Sequence, residues 1–248
     1  MPCLLVSDGA LVKTRRFRSP QYVGDPNNAI RIFNEKEADE LIVIDIDASR
    51  TGRGPDFDLI AEFAGECYMP LTYGGGVRSV DDAAAILALG VEKVCLQSAV
   101  ARSPRLVSEL ASRFGSQAVV VSVDVARSPW GREQARFSAL GIRSIRDWQS
   151  WMAGLVEAGA GEILLTSVDR EGTLQGMDLD LIARASDAVD VPLIANGGAS
   201  NLDDIAAAFA AGASGVAAGA YFVFYGPHRA VLISYPDESA FRALAVRR

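Results

Sequence analysis

Pro70-Leu-Thr-Tyr-Gly-Gly-Gly76 and Pro192-Leu-Ile-Ala-Asn-Gly-Gly198 are two copies of one element: a short apolar run that breaks on a glycine pair and leads into a helical pattern. The copying extends outward from both. Glu40–Ser98 lies on Glu162–Ala220 without a gap, at about one identical position in three. Asp47 falls on Asp169, Thr51 on Thr173, Gly54 on Gly176, Asp56 on Asp178, Asp81-Asp82 on Asp203-Asp204 and Gly90 on Gly212. Each copy reads strand, loop, helix, strand, Gly-rich turn, helix, strand, which is half of an alternating βα fold. Two such halves predict eight strands and eight crossovers. The expected fold is therefore α/β, a single (β/α)8 barrel domain over 1–248, made of duplicated half-barrels at about 1–117 and 118–248.

Apolar runs mark the strands near Cys3–Val6, Leu41–Ile46, Met69–Tyr73, Lys93–Leu96, Ala118–Val123, Glu162–Thr166, Val191–Ala195 and Gly215–Ala218. Their continuity fits parallel strands buried on both faces. Helices are predicted between them over Asn27–Glu37, Phe57–Glu66, Val80–Leu89, Pro104–Phe114, Ser144–Ala158, Leu179–Ala188 and Leu202–Ala211. Ser79 and Asn201 are cap residues ahead of acidic first turns, and Gly90, Gly159 and Gly212 close helices. The tail departs from the pattern: where a last helix is due, Val231–Tyr235 reads as extended and Pro236 interrupts it.

The 248 residues, half apolar and 22% charged, suit a soluble barrel. No apolar run reaches the roughly 18 residues of a membrane span and the start lacks a signal-peptide layout, so the cytoplasm is the expected compartment. A net charge of −7 argues against a nucleic-acid backbone as partner. Cys3, Cys67 and Cys95 read as reduced core residues, and the single His228 excludes a His-based triad or a His-rich metal centre. No motif calls for a metal or cofactor. Lys13, Arg15, Arg16 and Arg18 concentrate positive charge after the first strand, either as a solvated loop or as a lid on an anionic ligand.

The two glycine turns carry the chemistry. Backbone N–H groups at Gly75-Gly76 and Gly197-Gly198 can approach an oxyanion closely, next to a helix N-terminus. The strands that follow end in Gln97-Ser98 and Gly219-Ala220, the second half of a barrel phosphate site. A ligand with phosphate at both ends, lying across the barrel mouth, is the expectation. Acids gather between the turns: Asp45 and Asp47, Asp124, Asp169 and Glu171. Asp124 ends an apolar strand, where a carboxylate must face the mouth, and is the candidate general acid/base. Asp47 and Asp169 read equally well as loop hydrogen-bonding groups. At the opposite strand ends stand Glu40, Lys93 and Glu162, either a structural plug or the gate of an axial passage.

These residues bring a known family into view. Along nearly its whole length the chain resembles HisF, the cyclase subunit of imidazole glycerol phosphate synthase. The shared motifs are Pro2-Cys-Leu…Asp8-Gly, Gly24-Asp-Pro, Asp39-Glu-Leu, Tyr73-Gly-Gly-Gly-Val-Arg-Ser, Phe114-Gly-Ser-Gln-Ala-Val-Val-Val, Gly159-Ala-Gly-Glu-Ile-Leu-Leu-Thr-Ser, Asp169-Arg-Glu-Gly-Thr and Gly197-Gly-Ala. The resemblance implies a glutaminase (HisH-like) partner at the barrel bottom and ammonia passing through the barrel to a bisphosphorylated ribonucleotide. It maps the gate onto Glu40, Lys93 and Glu162. Substrate and phosphate contacts map onto Lys13, Gly75, Gly76, Gln97, Ser98, Thr166, Glu171, Gly172, Gly197, Gly198 and Gly219.

The departures from that family are specific. Of its two catalytic aspartates, one is Asp124 and the other falls on Leu5, which transfers no proton. Gln97-Ser98 stands for Asn-Thr, Gly219 for a serine and Glu171 for an aspartate, and the gate arginine would lie upstream of Met1. Leu5, Ala217-Ala-Gly…Phe222-Val-Phe and Arg229-Ala-Val-Leu-Ile-Ser-Tyr-Pro resemble the WbuZ-type branch associated with lipopolysaccharide O-antigen biosynthesis. That branch implies a glutaminase and a sugar amidotransferase as partners. The alternative is a non-catalytic ammonia conduit that activates the glutaminase, and a HisA-type sugar-phosphate isomerase is a third, weaker reading.

Overall fold

A computed structural model describes residues 1–139, 141–237 and 239–241. Its eight barrel strands are β1 (Cys3–Ser7), β2 (Leu41–Asp45), β3 (Leu71–Gly74), β4 (Lys93–Leu96), β5 (Val119–Arg127), β6 (Glu162–Ser167), β7 (Leu193–Asn196) and β8 (Gly215–Ala217). Neighbours pair in parallel from β1 through β8. The ring closes where Pro2 bridges Ala218, with Cys3 N donating to Ala218 O at 2.9 Å and Ala218 N to Met1 O at 3.0 Å. The barrel read from the duplication is the observed fold.

Strand alternation divides the apolar residues into two cores. Leu41, Val43, Val94, Leu96, Val119, Val121, Ile163 and Leu165 pack with the surrounding helices. Cys3, Ile42, Cys95, Val120, Leu164, Ile194 and Ala217 form a separate cluster that fills the interior.

The repeat mates do the same jobs. Asp56 accepts from Leu59 N and Asp178 from Leu181 N, capping the helices Phe57–Glu66 and Leu179–Ser186. Ser79 accepts from Asp82 N and Asn201 from Asp204 N, capping Val80–Ala88 and Leu202–Ala210. A Cβ on Gly76 would stand 2.7 Å from the Gly54 carbonyl carbon, and one on Gly198 would stand 2.2 Å from Gly176 O. Both turns therefore need glycine for closeness as well as for their positive φ.

Three segments differ from the plain barrel. The basic stretch after β1 is an antiparallel hairpin, Ala10–Arg15 with Arg18–Gly24, in which Lys13 and Thr14 are buried and Arg15, Arg16 and Arg18 are exposed. β5 runs on past the barrel to Arg127 and pairs with Glu133–Arg136. The tail follows the one-turn helix Ala220–Val223 with a small hairpin, Phe224–Tyr225 against Ala230–Val231, and residues 232–237 carry no helix. Tyr235 packs on Phe33, Phe222 and Phe241 and donates from Oη to Asp39 Oδ2 at 2.7 Å, so a strap covers the flank where a last helix was due. Cys3, Cys67 and Cys95 are free thiols. No helix among the described residues is long and apolar enough to cross a membrane.

Candidate active site

The inner ladders of the strands define an axis. On β4, Lys93, Cys95 and Gln97 follow at spacings of two; on β6, Glu162, Leu164 and Thr166; on β5, Val120, Ser122 and Asp124. On β4 and β6 charge stands at the N-terminal end and an apolar residue in the middle, and on all three strands a polar group stands at the C-terminal end.

At the bottom, Lys93 Nζ donates to Glu40 Oε1 at 3.0 Å and to Glu162 Oε1 at 2.6 Å. All three side chains are mostly shielded from solvent. Burial alone would lower the lysine's pKa, but its hydrogen bonds to both carboxylates outweigh it and hold Lys93 above its usual value.

At the top, a cavity of about 1160 Å³ opens at the C-terminal strand ends. Leu5 lines it, so the expected site of a second acid is apolar, together with Lys13, Gly75, Gly76, Gln97, Ser98, Asp124, Thr166 and Glu171. A smaller recess beside it is lined by Gly172, Gly197, Gly198 and Gly219, and shares Lys13, Glu171 and Asn196 with the cavity. The structure thus brings the two sets of residues expected to hold phosphate to opposite sides of the barrel mouth. Gly75, Gly76, Gly172, Gly197 and Gly198 all have positive φ.

Asp124 is 7% exposed at the inner end of this cavity. Ser122 Oγ donates to its Oδ1 at 3.1 Å, Gln97 Nε2 to its Oδ2, and Thr166 supplies a third hydrogen bond. Burial pushes its pKa up to about 7 against those hydrogen bonds. A carboxyl with that value exchanges a proton readily near neutral pH, as a general acid/base must.

The other acids are committed. Asp45 accepts from Asp47 N, Ala48 N and Arg53 Nη2. Asp47 accepts from Ser7 Oγ at 2.7 Å, and Asp169 Oδ2 from Arg127 N at 2.9 Å, so both serve as loop anchors. Glu171 is buried against Lys13 Nζ and accepts from Thr14 Oγ1 at 3.1 Å. Gly219 makes room for that pair, since a Cβ there would stand 2.7 Å from Lys13 Nζ. Ser122, Asn196 and Ser138 belong to the site as well. Alternation two residues before Asp124 would have found Ser122; Ser138 lies on a loop that sequence period does not reach.

Comparison with known proteins gives the family of the chain. The family model described as "Histidine biosynthesis protein" matches residues 1–228. A Pseudomonas aeruginosa protein, provisionally named imidazole glycerol phosphate synthase subunit hisF2, is 51% identical, covering 96% of this chain and 95% of its own. A Vibrio vulnificus protein provisionally named as subunit hisF3 is 46% identical over 96% of this chain and 93% of its own. Imidazole glycerol phosphate synthase subunit HisF of Frankia casuarinae is 43% identical over 90% of this chain and 89% of its own. On a family match that spans the barrel and on these identities, the chain belongs to the HisF family of histidine-biosynthesis proteins.

Proposed function

We propose that this chain is the synthase (cyclase-type) subunit of a glutamine amidotransferase pair. A HisH-like glutaminase docks at the N-terminal strand ends. Ammonia passes the Glu40–Lys93–Glu162 group, follows the apolar interior and reaches a phosphorylated substrate in the upper cavity. The observation that carries this reading is the single inner axis, with the ion-paired gate at one end of β4 and β6 and Asp124 at the same level as their other ends. Neutral ammonia crosses an apolar layer at small cost, whereas ammonium would leave water at a cost of several kcal/mol per ion. At the top, Asp124 takes or returns the proton as ammonia attacks, and the glycine turns hold phosphate through backbone N–H groups.

The finer assignment is the O-antigen branch, in which the acceptor serves amidination of a surface sugar together with a sugar amidotransferase. Leu5 and the tail from Arg229 to Pro236 support it. Leu5 also favours a second reading, in which the barrel conducts ammonia and activates the glutaminase without chemistry of its own.

The test is paired turnover, with glutamine plus glutaminase or with ammonium salt, using the phosphorylated ribonucleotide of histidine synthesis. Asp124→Asn should lower both rates at least about 10²-fold. Glutaminase activation that survives Asp124→Asn, without any acceptor turnover by the parent chain, would select the conduit.

A further inference from the structure

Gln97 ends the inner ladder of β4, and its amide is engaged at both ends. Its Oε1 accepts from Ser98 Oγ at 3.0 Å, from Ser138 N at 3.1 Å and from Ser138 Oγ at 3.1 Å. Its Nε2 donates to Asp124 Oδ2 and, at 3.4 Å, to Arg136 O. The donors around Oε1 and the acceptors around Nε2 fix which way the amide points. Ser98 is tied into the same loop, accepting from Ala139 N at 3.2 Å. An asparagine, one methylene shorter, would have to release one end of this bridge.

We infer that Gln97 is a positioning residue for Asp124, and that the loop carrying Ser138 holds it in that role. The inference rests on the reading of Asp124 as the acid/base and deepens it. Gln97 fixes one carboxylate oxygen and stabilises the ionised form by donating to it. Its anchor is a segment that lies after the extension of β5, so the placement of that loop and the readiness of Asp124 are connected. A phosphate at the first-half turn is then left to the backbone N–H groups near Gly75-Gly76.

The experiment compares Gln97→Leu, the near-isosteric Gln97→Glu and Ser138→Ala with the parent chain. Two readouts are taken: kcat and KM for the phosphorylated ribonucleotide across pH, and ¹³C NMR titration of the Asp124 carboxyl, assigned with Asp124→Asn. In Gln97→Leu the Asp124 midpoint should rise by about half a unit to one unit, because a donor to the ionised form is gone. Its kcat should fall about tenfold with KM within about twofold. Gln97→Glu should raise the midpoint further by like-charge repulsion, and Ser138→Ala should move it in the same direction by less. A raised KM with an unmoved Asp124 midpoint would make Gln97 a phosphate ligand and overturn the inference. The NMR titration needs no turnover. A shifted midpoint in a chain without turnover refutes synthase chemistry on this ribonucleotide alone, and an unmoved midpoint in an active chain refutes the positioning role alone.

Discussion

Lys93 joins two repeat mates: its ammonium lies 3.0 Å from Glu40 and 2.6 Å from Glu162, so a single cation from the first half-barrel pairs with the same position of both halves. Duplication put a glutamate at each site, and the pair is tolerable only with a cation between them. Lys93→Ala leaves two facing, partly buried carboxylates and should destabilise the fold by about 1–3 kcal/mol. On the proposed function, glutamine-dependent turnover should change while ammonium-dependent turnover is largely kept. Equal losses in the two assays would remove the conduit role from this trio.

Asp124 should make the protein less stable as pH rises. Its folded pKa is raised from 3.8 to about 7, so below about pH 4 both states are protonated and the contribution is fully present. Between about 4 and 7 the unfolded chain ionises and the folded one resists, so stability is lost through that window and stays lower above it. At 1.36 kcal/mol per unit, the upper bound is about 4 kcal/mol. Asp124→Asn should therefore raise Tm at pH 8 and lose that advantage toward pH 4. A pH-independent difference between the two melting curves would mean that Asp124 ionises as freely as an exposed carboxyl.

Gly219 is tied to Lys13 by space. Its φ of −107° suits any residue, yet a Cβ would stand 2.7 Å from Lys13 Nζ and 2.8 Å from Cys3 O. Gly219→Ser should cost about 1–3 kcal/mol by overpacking, read as a drop of several degrees in Tm. An unchanged Tm would show that Lys13 does not occupy this recess in solution.

The strap after β8 should matter as much as the helix it replaces. Tyr235 is 9% exposed among Phe33, Phe222 and Phe241, and it donates to Asp39 across the flank. Tyr235→Phe should cost about 1.5 kcal/mol, the lower end of the net worth of a hydrogen bond to a charged group. Tyr235→Ala should cost about 3–5 kcal/mol through lost packing. Similar denaturation midpoints for the two variants would mean that the ring contributes little.

The barrel was legible because its signals are local or periodic. Apolar runs, caps at Ser79 and Asn201 and glycine turns at Gly75-Gly76 and Gly197-Gly198 each act within a few residues, and the repeat doubled every one of them. The strand boundaries also put Lys93 and Glu162 at strand starts and Gln97 and Thr166 at strand ends. The basic stretch after β1 left its structure open, because its hairpin is set by pairing and by the burial of Lys13 against Glu171. That partner lies 158 residues away, and no local pattern encodes such a contact. The same holds for Tyr235 and Asp39, 196 residues apart. Gln97 was legible as a site residue, but its link to Asp124 depends on side-chain reach and on a loop, neither of which sequence period carries.

Leu5 lines the cavity, and replacing it with aspartate tests the proposed chemistry most directly. The measurement is ammonium-dependent turnover of the bisphosphorylated ribonucleotide by the parent chain and by Leu5→Asp, side by side. The expected result is slow turnover by the parent and a gain of at least about 10² in the variant, the usual worth of a positioned acid/base group. No turnover from either protein would contradict cyclase chemistry on this ribonucleotide at the site around Asp124 and point to ammonia delivery to a different acceptor.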